Sequence, residues 1–443
     1  MDTPIFDFVQ NYIKSNTARL HMPGHKGVSF LGCEAFDITE IRGADELYAP
    51  EGIIRDSEEN ASRLFNTAKT VYSAGGSSQS INAMLYLAYL QADKSHRPFV
   101  LAGRNAHKAF IYALAKLDAD VKWLCPENSS SICSCIVTAE MLERKLGELP
   151  CKPFAVYITS PDYLGGMSDI ESIAKVCKNY DIPLLVDNAH GSYLKFCLHD
   201  MHPISLGADM CCDSAHKTLP VLTGGGYLHI AKNNRYGFSQ NAVNAMAIFG
   251  STSPSYLILQ SLDLCNKYID EKIKENLYYC SQKCNEIKEV MQSVGIPDIS
   301  AEPLKITADF SGYEGNFAEH FRIHGIEPEY ADEDYIVFMI TPQNSDEDFE
   351  RLKKAFNNLE LKLKDSEYKP FSFEIGERAM TIREAIFSEN EEISVENAVG
   401  RVCASPTVSC PPAIPIAVSG EVITEKHIEL FKKYKIDKIL VVK

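Results

Sequence analysis

Lys217 follows a histidine directly in Asp213-Ser-Ala-His-Lys-Thr-Leu-Pro220, and the glycine cluster Thr223-Gly-Gly-Gly226 comes close behind. Upstream, the apolar run Leu184-Leu-Val ends on Asp187 and continues as Asn-Ala-His-Gly191. A lysine amine condenses with an aldehyde to give a Schiff base, and a carboxylate can keep a pyridine nitrogen protonated so that the ring accepts electrons. A carboxylate at a strand end and a lysine in a tight loop, in that order, are what pyridoxal phosphate chemistry requires. Either segment alone has a plainer reading: a loop lysine is usually a solvated surface group, and an acid at a strand end can cap the next helix.

Further residue types suit the same cofactor. Ser73-Ala-Gly-Gly-Ser-Ser-Gln-Ser80 runs from a strand into a helix expected to begin near Ile81. Glycines permit the turn, the helix N-terminus offers amides and partial positive charge, and Ser77 and Ser78 add hydroxyls, so a phosphate fits there. A plain N-capped helix is the competing reading of that segment. Ser214 and His216 flank the lysine closely enough to reach the same phosphate. Ala189 is small enough to lie flat against a ring. His107, in Gly103-Arg-Asn-Ala-His-Lys108, could stack on the opposite face. His190 could be a core residue, a structural hydrogen-bonder or a substrate-facing acid.

Short apolar runs alternate with helical stretches between about residues 55 and 230. Strands are expected at Thr70–Ser73, Pro98–Leu101, Val121–Leu124, Phe154–Ile158, Pro183–Val186, Asp209–Cys212 and Tyr227–Ile230. Helices are expected at Ser80–Ala92, Lys108–Leu117, Thr138–Leu146 and Asp169–Asn179. That alternation predicts an α/β domain with a mostly parallel sheet covered by helices, whose ligands sit at the carboxyl ends of strands. A long helical stretch from Tyr256 to Val294 leads to a smaller α/β domain with a helix at Glu347–Leu359. A proline-dense segment, Val408–Pro415, must be extended. Thr424–Tyr434 reads as a last helix. The domains expected are 1–265 (N-terminal segment and large domain), 266–365 (linking helix and small α/β domain) and 366–443 (C-terminal α+β domain).

The 443-residue length calls for two or three domains. A net charge of −16 argues against nucleic acid or anionic membrane as partner. The N-terminus lacks the basic and apolar regions of an export signal, and no run of apolar residues is long enough for a membrane helix, so a cytoplasmic location is expected. The 14 cysteines form no CxxC pair. Neither a zinc ribbon nor a thioredoxin-like site is therefore supported, no metal is expected, and reduced thiols are expected.

Taken together, these motifs resemble the Orn/Lys/Arg decarboxylase family. The resemblance runs through Leu20-His-Met-Pro-Gly-His-Lys-Gly27, Asp37-Ile-Thr-Glu40, Ala44-Asp-Glu-Leu47, the serine loop and Asn105-Ala-His-Lys108. It continues through Val186–Gly191, Ser214-Ala-His-Lys217, Thr252-Ser-Pro-Ser-Tyr256, Ser261-Leu-Asp263 and Pro415–Glu421. It implies the aspartate-aminotransferase-like fold type I, with a seven-stranded sheet, and pyridoxal phosphate joined to Lys217. Asp187 would face the pyridine nitrogen and His107 would stack on the ring. Ser77, Ser78, Ser214 and His216 would hold the phosphate, and Thr252 and Ser253 would approach the phosphate of the neighbouring subunit of a homodimer. The resemblance is to the family's short members, for which no N-terminal wing domain, and so no decamer, is expected. The implied reaction is decarboxylation of a basic amino acid, arginine or lysine before ornithine, with Glu421 or a partner-subunit acid meeting the cationic end. The product amine would serve polyamine synthesis or acid resistance. Another reaction on this fold (transamination or elimination) and a non-catalytic paralogue are the competing readings. The chain departs from the family's Tyr-Pro-Pro-Gly and Pro-Gly-Glu at Cys410-Pro-Pro-Ala413 and Ser419-Gly-Glu421. That leaves the substrate open.

Overall fold

The computed structural model describes residues 1–127, 129–365, 371–406 and 411–443. In chain order its first elements are α1 (Pro4–Lys14), α2 (Ile53–Phe65), β1 (Lys69–Ser73), α3 (Gly76–Tyr89), β2 (Phe99–Gly103), α4 (Lys108–Leu117) and β3 (Asp120–Leu124). There follow α5 (Ala139–Glu148), β4 (Ala155–Thr159), α6 (Ile170–Tyr180), β5 (Leu184–Asp187), β6 (Met210–Asp213), α7 (Ala215–Thr218), β7 (Gly226–Ile230), α8 (Ala242–Phe249), α9 (Tyr256–Glu271) and α10 (Ile273–Ser293). The chain divides into two compact units, Met1–Gln91 with Cys177–Leu277, and Ala92–Val176 with Tyr278–Lys443.

In the first unit four strands lie in the order β1-β7-β6-β5. β5 and β6 are parallel, and every residue of both is buried, as expected of apolar runs covered on two faces. β7 runs antiparallel to both β6 and β1, pairing Gly226–Ile230 with Ser73–Lys69. The N-terminal helix α1 starts on a proline and takes no cap from Thr3. Asp263, on α9, supplies the cap: its Oδ2 accepts from the amides of Ile5 at 2.9 Å and Phe6 at 3.0 Å. Ser57 on α2 donates to its other oxygen at 2.5 Å. One carboxylate thus pins two helices to a third.

The second unit carries the remaining three strands of the expected seven, parallel and in the order β4-β2-β3. It also holds a three-stranded antiparallel sheet whose strands are Lys305–Asp309, Tyr330–Ala331 and Tyr335–Met339. A terminal strand, Lys438–Val442, pairs antiparallel with Asn390–Ser394. Tyr335, Val337, Ile416, Phe431 and Val441 share one apolar core there.

Three expectations need correction. The stretch from Tyr256 to Val294 is two helices, broken at Lys272. Val408–Cys410 lie outside the described residues, and Ala413 is not extended: its φ of 57° is left-handed. The helix after the serine loop begins at Gly76 rather than near Ile81.

Candidate active site

Within the first unit, the proposed chemistry gathers where β5 and β6 end. Asp187 is the last residue of β5 and is buried; its Oδ1 accepts from the Ala189 amide at 3.2 Å and from the Cys212 thiol at 3.5 Å. Burial and the neighbouring carboxylates Asp187 and Asp213 push that thiol far up, so it stays protonated and donates. Ala189 and His190 follow on the same loop, both buried.

Lys217 does not lie in an open loop. It sits in the single turn α7, whose N-cap is Ser214, directly after the end of β6. Its Nζ is 2.9 Å from Nε2 of His190. The half-buried amine and the buried imidazole thereby form one hydrogen-bonded pair.

The serine loop meets the lysine turn. Ser214 donates to Oγ of Ser77 at 2.8 Å. Ser77 and Ser78 occupy the first turn of α3, whose leading N–H groups have no partners within the helix. This helix start is braced on both sides: Gly76 N–H donates to the Gly224 carbonyl at 2.7 Å, and Ser73 Oγ donates to the Gly76 carbonyl at 2.8 Å. Gly76 itself has φ 65°, a conformation that favours glycine. His216 is tied through Nδ1 to the Gly225 carbonyl at 2.9 Å. Burial draws its pKa down, with the Lys217 charge in support and the Gly225 bond opposing. Gly226 is enforced by space: a Cβ there would lie 2.7 Å from the Asp213 carbonyl oxygen and 3.5 Å from the Ser77 amide nitrogen. Thr252 and Ser253 are exposed, just before α9.

Two expected site residues belong to the second unit. His107 caps α4, accepting the Ala109 amide on Nδ1 at 3.1 Å. Lys108 N–H donates to the Ala413 carbonyl at 2.9 Å, which fixes the C-terminal segment against this helix start. Glu421 is 1% exposed and accepts the Val418 amide at 3.0 Å. Burial raises its pKa, against the pull of the Arg104 guanidinium. Arg104, also buried, donates to the carbonyls of Pro415 and Ile416, both at 2.8 Å. Glu421 is thus committed to the interior of its own domain.

Residues that sequence reasoning passed over lie in the same unit: His202, His229 and Asp213 are each completely buried, with the two Nε2 atoms 3.2 and 3.3 Å from Asp213 Oδ2. No local signal marks them, since the contacts join a loop, a strand and a strand end.

A lysine amine, a buried carboxylate at a parallel strand end and a hydroxyl-lined helix start lie close together, an arrangement suited to holding pyridoxal phosphate. The comparisons agree. The family model for the Orn/Lys/Arg decarboxylase major domain matches residues 3–307, and that for the C-terminal domain matches residues 364–435. The chain belongs to the Orn/Lys/Arg decarboxylase family. An arginine decarboxylase of Bacillus subtilis is 29% identical to it, over 98% of this chain and 93% of that protein. An arginine decarboxylase of Halalkalibacterium halodurans is 28% identical, over 97% and 93%. Among solved structures, the Francisella novicida lysine decarboxylase LdcF superposes with a TM-score of 0.82 at 16% identity, covering 100% of this chain and 81% of that one. The constitutive lysine decarboxylase of E. coli gives 0.77 at 18%, covering 100% and 82%. Among the described residues, no helix is long and apolar enough to cross a membrane, and 13 cysteines are free.

Proposed function

We propose that this chain is a pyridoxal-phosphate-dependent decarboxylase that converts a basic amino acid, arginine or lysine before ornithine, into its amine and CO₂. The observation that carries the reading is the Lys217–His190 pair beside the end of β5, where Asp187 is buried, in a member of this family.

The residues present fit the cofactor. Lys217 offers the amine for its aldehyde, and Asp187 the buried charge for its ring nitrogen. The start of α3 with Ser77, Ser78, Ser214 and His216 offers donors for its phosphate, in a cradle that a side chain at position 226 would fill. When bound, pyridoxal phosphate supplies the electron sink for the bond broken at the substrate's α carbon. The protein supplies position and protons. Asp187, fixed by the Ala189 amide, holds its charge at one place. His190 and Lys217 share a proton along their hydrogen bond, so that Nζ can take it up or deliver it to the product carbon.

By the family's pattern, His107 and Ala189 are assigned to the two faces of the ring. The exposed Thr252 and Ser253 are assigned to the cofactor phosphate of the second subunit in a homodimer. The carboxylate that meets the substrate's cationic end is assigned to Glu421 or to an acid of the partner subunit. The free thiols and the absence of a membrane helix among the described residues support work in the cytoplasm. The test is direct. Purified protein with pyridoxal phosphate is offered arginine, lysine and ornithine separately, and borohydride-treated protein is mapped for an adduct. We expect agmatine or cadaverine and an adduct on Lys217; a cofactor-loaded protein that leaves all three untouched would end the decarboxylase reading.

A further inference from the structure

Asp213 closes β6 one residue before Ser214, with no solvent exposure. Its Oδ2 accepts from Nε2 of His202 at 3.2 Å and lies 3.3 Å from Nε2 of His229. The other face of the His229 ring is anchored by a 2.8 Å hydrogen bond between Nδ1 and Thr70 Oγ1. Phe65 packs on both imidazoles, with ring centroids 4.4 Å from His229 and 5.5 Å from His202. The remaining oxygen, Oδ1, accepts from Nδ2 of Asn188 at 2.7 Å. Asn188 is the neighbour of Asp187, and its own amide donates to the Cys212 carbonyl at 3.0 Å. Two bonds therefore tie the loop that carries Asp187, Ala189 and His190 to the end of the strand that leads into Lys217.

Burying a carboxylate is costly until its partners offset the lost hydration, and apolar replacements of such groups are often no less stable. Its use is then orientation. We propose that Asp213, clamped between His202 and His229, is a positioning residue that holds the Asn188 side chain and through it fixes the Asp187–His190 loop against Lys217. This rests on the cofactor reading given above for Lys217 and Asp187.

The same atoms invite a second interpretation. His202 Nε2, Cys211 Sγ and an Asp213 oxygen lie within 4.8 Å of one another, a donor set a zinc ion could use. The hydrogen-bonded arrangement is favoured because Asn188 already occupies one Asp213 oxygen. Asp213 itself is held well below the usual carboxylate range: burial works to raise it, and the two imidazoles overcome that.

The test uses the holoenzyme with Asn188→Ala, which spares the clamp, and Asp213→Asn, which removes its charge. Three readouts are taken: the visible absorbance band of bound pyridoxal phosphate, kcat and KM for arginine per bound cofactor, and metal content. Asn188→Ala is expected to shift the band and to lower kcat about tenfold, the scale of one hydrogen bond to a charged group, with KM within about twofold. The double variant should be no worse than Asp213→Asn, since both act through one arm. A structural role alone would reduce the yield of folded protein but leave the band and kcat per bound cofactor as in wild type; that outcome, or stoichiometric metal in the wild type, overturns the proposal. Wild-type protein without an adduct on Lys217 would instead overturn the cofactor reading beneath it.

Discussion

Gly226→Ala is the sharpest probe of the phosphate cradle, because the change is one methyl group and its collisions are known. The backbone at 226 is not left-handed, so an alanine adds no backbone strain. The cost is purely steric. The new Cβ would lie 2.7 Å from the Asp213 carbonyl oxygen, 3.3 Å from the Gly76 carbonyl carbon and 3.5 Å from the Ser77 nitrogen. Restoring an ordinary 3.4 Å contact with the first atom requires a shift of 0.7 Å, the difference of 3.4 and 2.7. Both neighbours are backbone, one at the end of β6 and the other at the start of α3, so neither can rotate away. Overpacking of this kind costs about 1–3 kcal/mol. If that strain is relieved by moving the start of α3, affinity for pyridoxal phosphate falls by about fivefold to about a hundredfold. The assay is titration of cofactor-free protein followed by the visible band, with the thermal midpoint measured alongside. Gly147→Ala is the control: nothing lies within 4 Å of its Cβ, and it sits inside helix α5. Folded Gly226→Ala protein that binds the cofactor with wild-type affinity would show that the phosphate does not use the start of α3.

Asp263→Asn should alter the pH dependence of stability. Burial raises the folded pKa of Asp263 to about 6, against the Ser57, Phe6 and Ile5 donors. A raised acid makes no difference below its unfolded value near 3.8, and stability then falls as pH rises toward 6 because the unfolded chain ionises first. Relative to wild type, the asparagine variant should gain on the order of 2–3 kcal/mol between pH 4 and pH 7 in urea unfolding; a flat difference would refute it. Ala413→Gly should raise stability by about 1 kcal/mol in the same measurement, since it relieves a left-handed alanine. Arg104→Met should cost about 3 kcal/mol by stranding the Pro415 and Ile416 carbonyls. Its signature is faster amide exchange confined to the C-terminal segment.

Much of the first unit was legible because buried parallel strands are continuous apolar runs; β5 and β6 were found within a residue of their ends. Lys217 and Asp187 announce themselves by what stands beside them in the chain. The start of α3 was misplaced because Gly-Gly-Ser-Ser favours turns, and its helical state depends on the Gly224 carbonyl and the Ser73 hydroxyl, one of them about 150 residues away. Lys217 was expected in a loop, since one turn of helix is too short to show a period. His229 was read as part of a strand, correctly, but its bond to Thr70 and its approach to Asp213 arise only when β7 is paired on both edges. Asp263 lay inside a family-like motif, yet its partners are backbone amides 258 and 257 positions earlier, which no local pattern encodes.

The cap on α1 reads main-chain N–H groups and ignores side-chain identity. The first dozen residues are therefore free to drift in sequence, or to be redesigned, wherever helicity and the apolar contacts of Ile5 and Val9 survive. Deleting them is a different matter, for it would strand an acid in the interior of a remote helix and send the damage toward Ser57 and α2. Lineages of this chain should accordingly tolerate substitution at their leading edge far better than shortening.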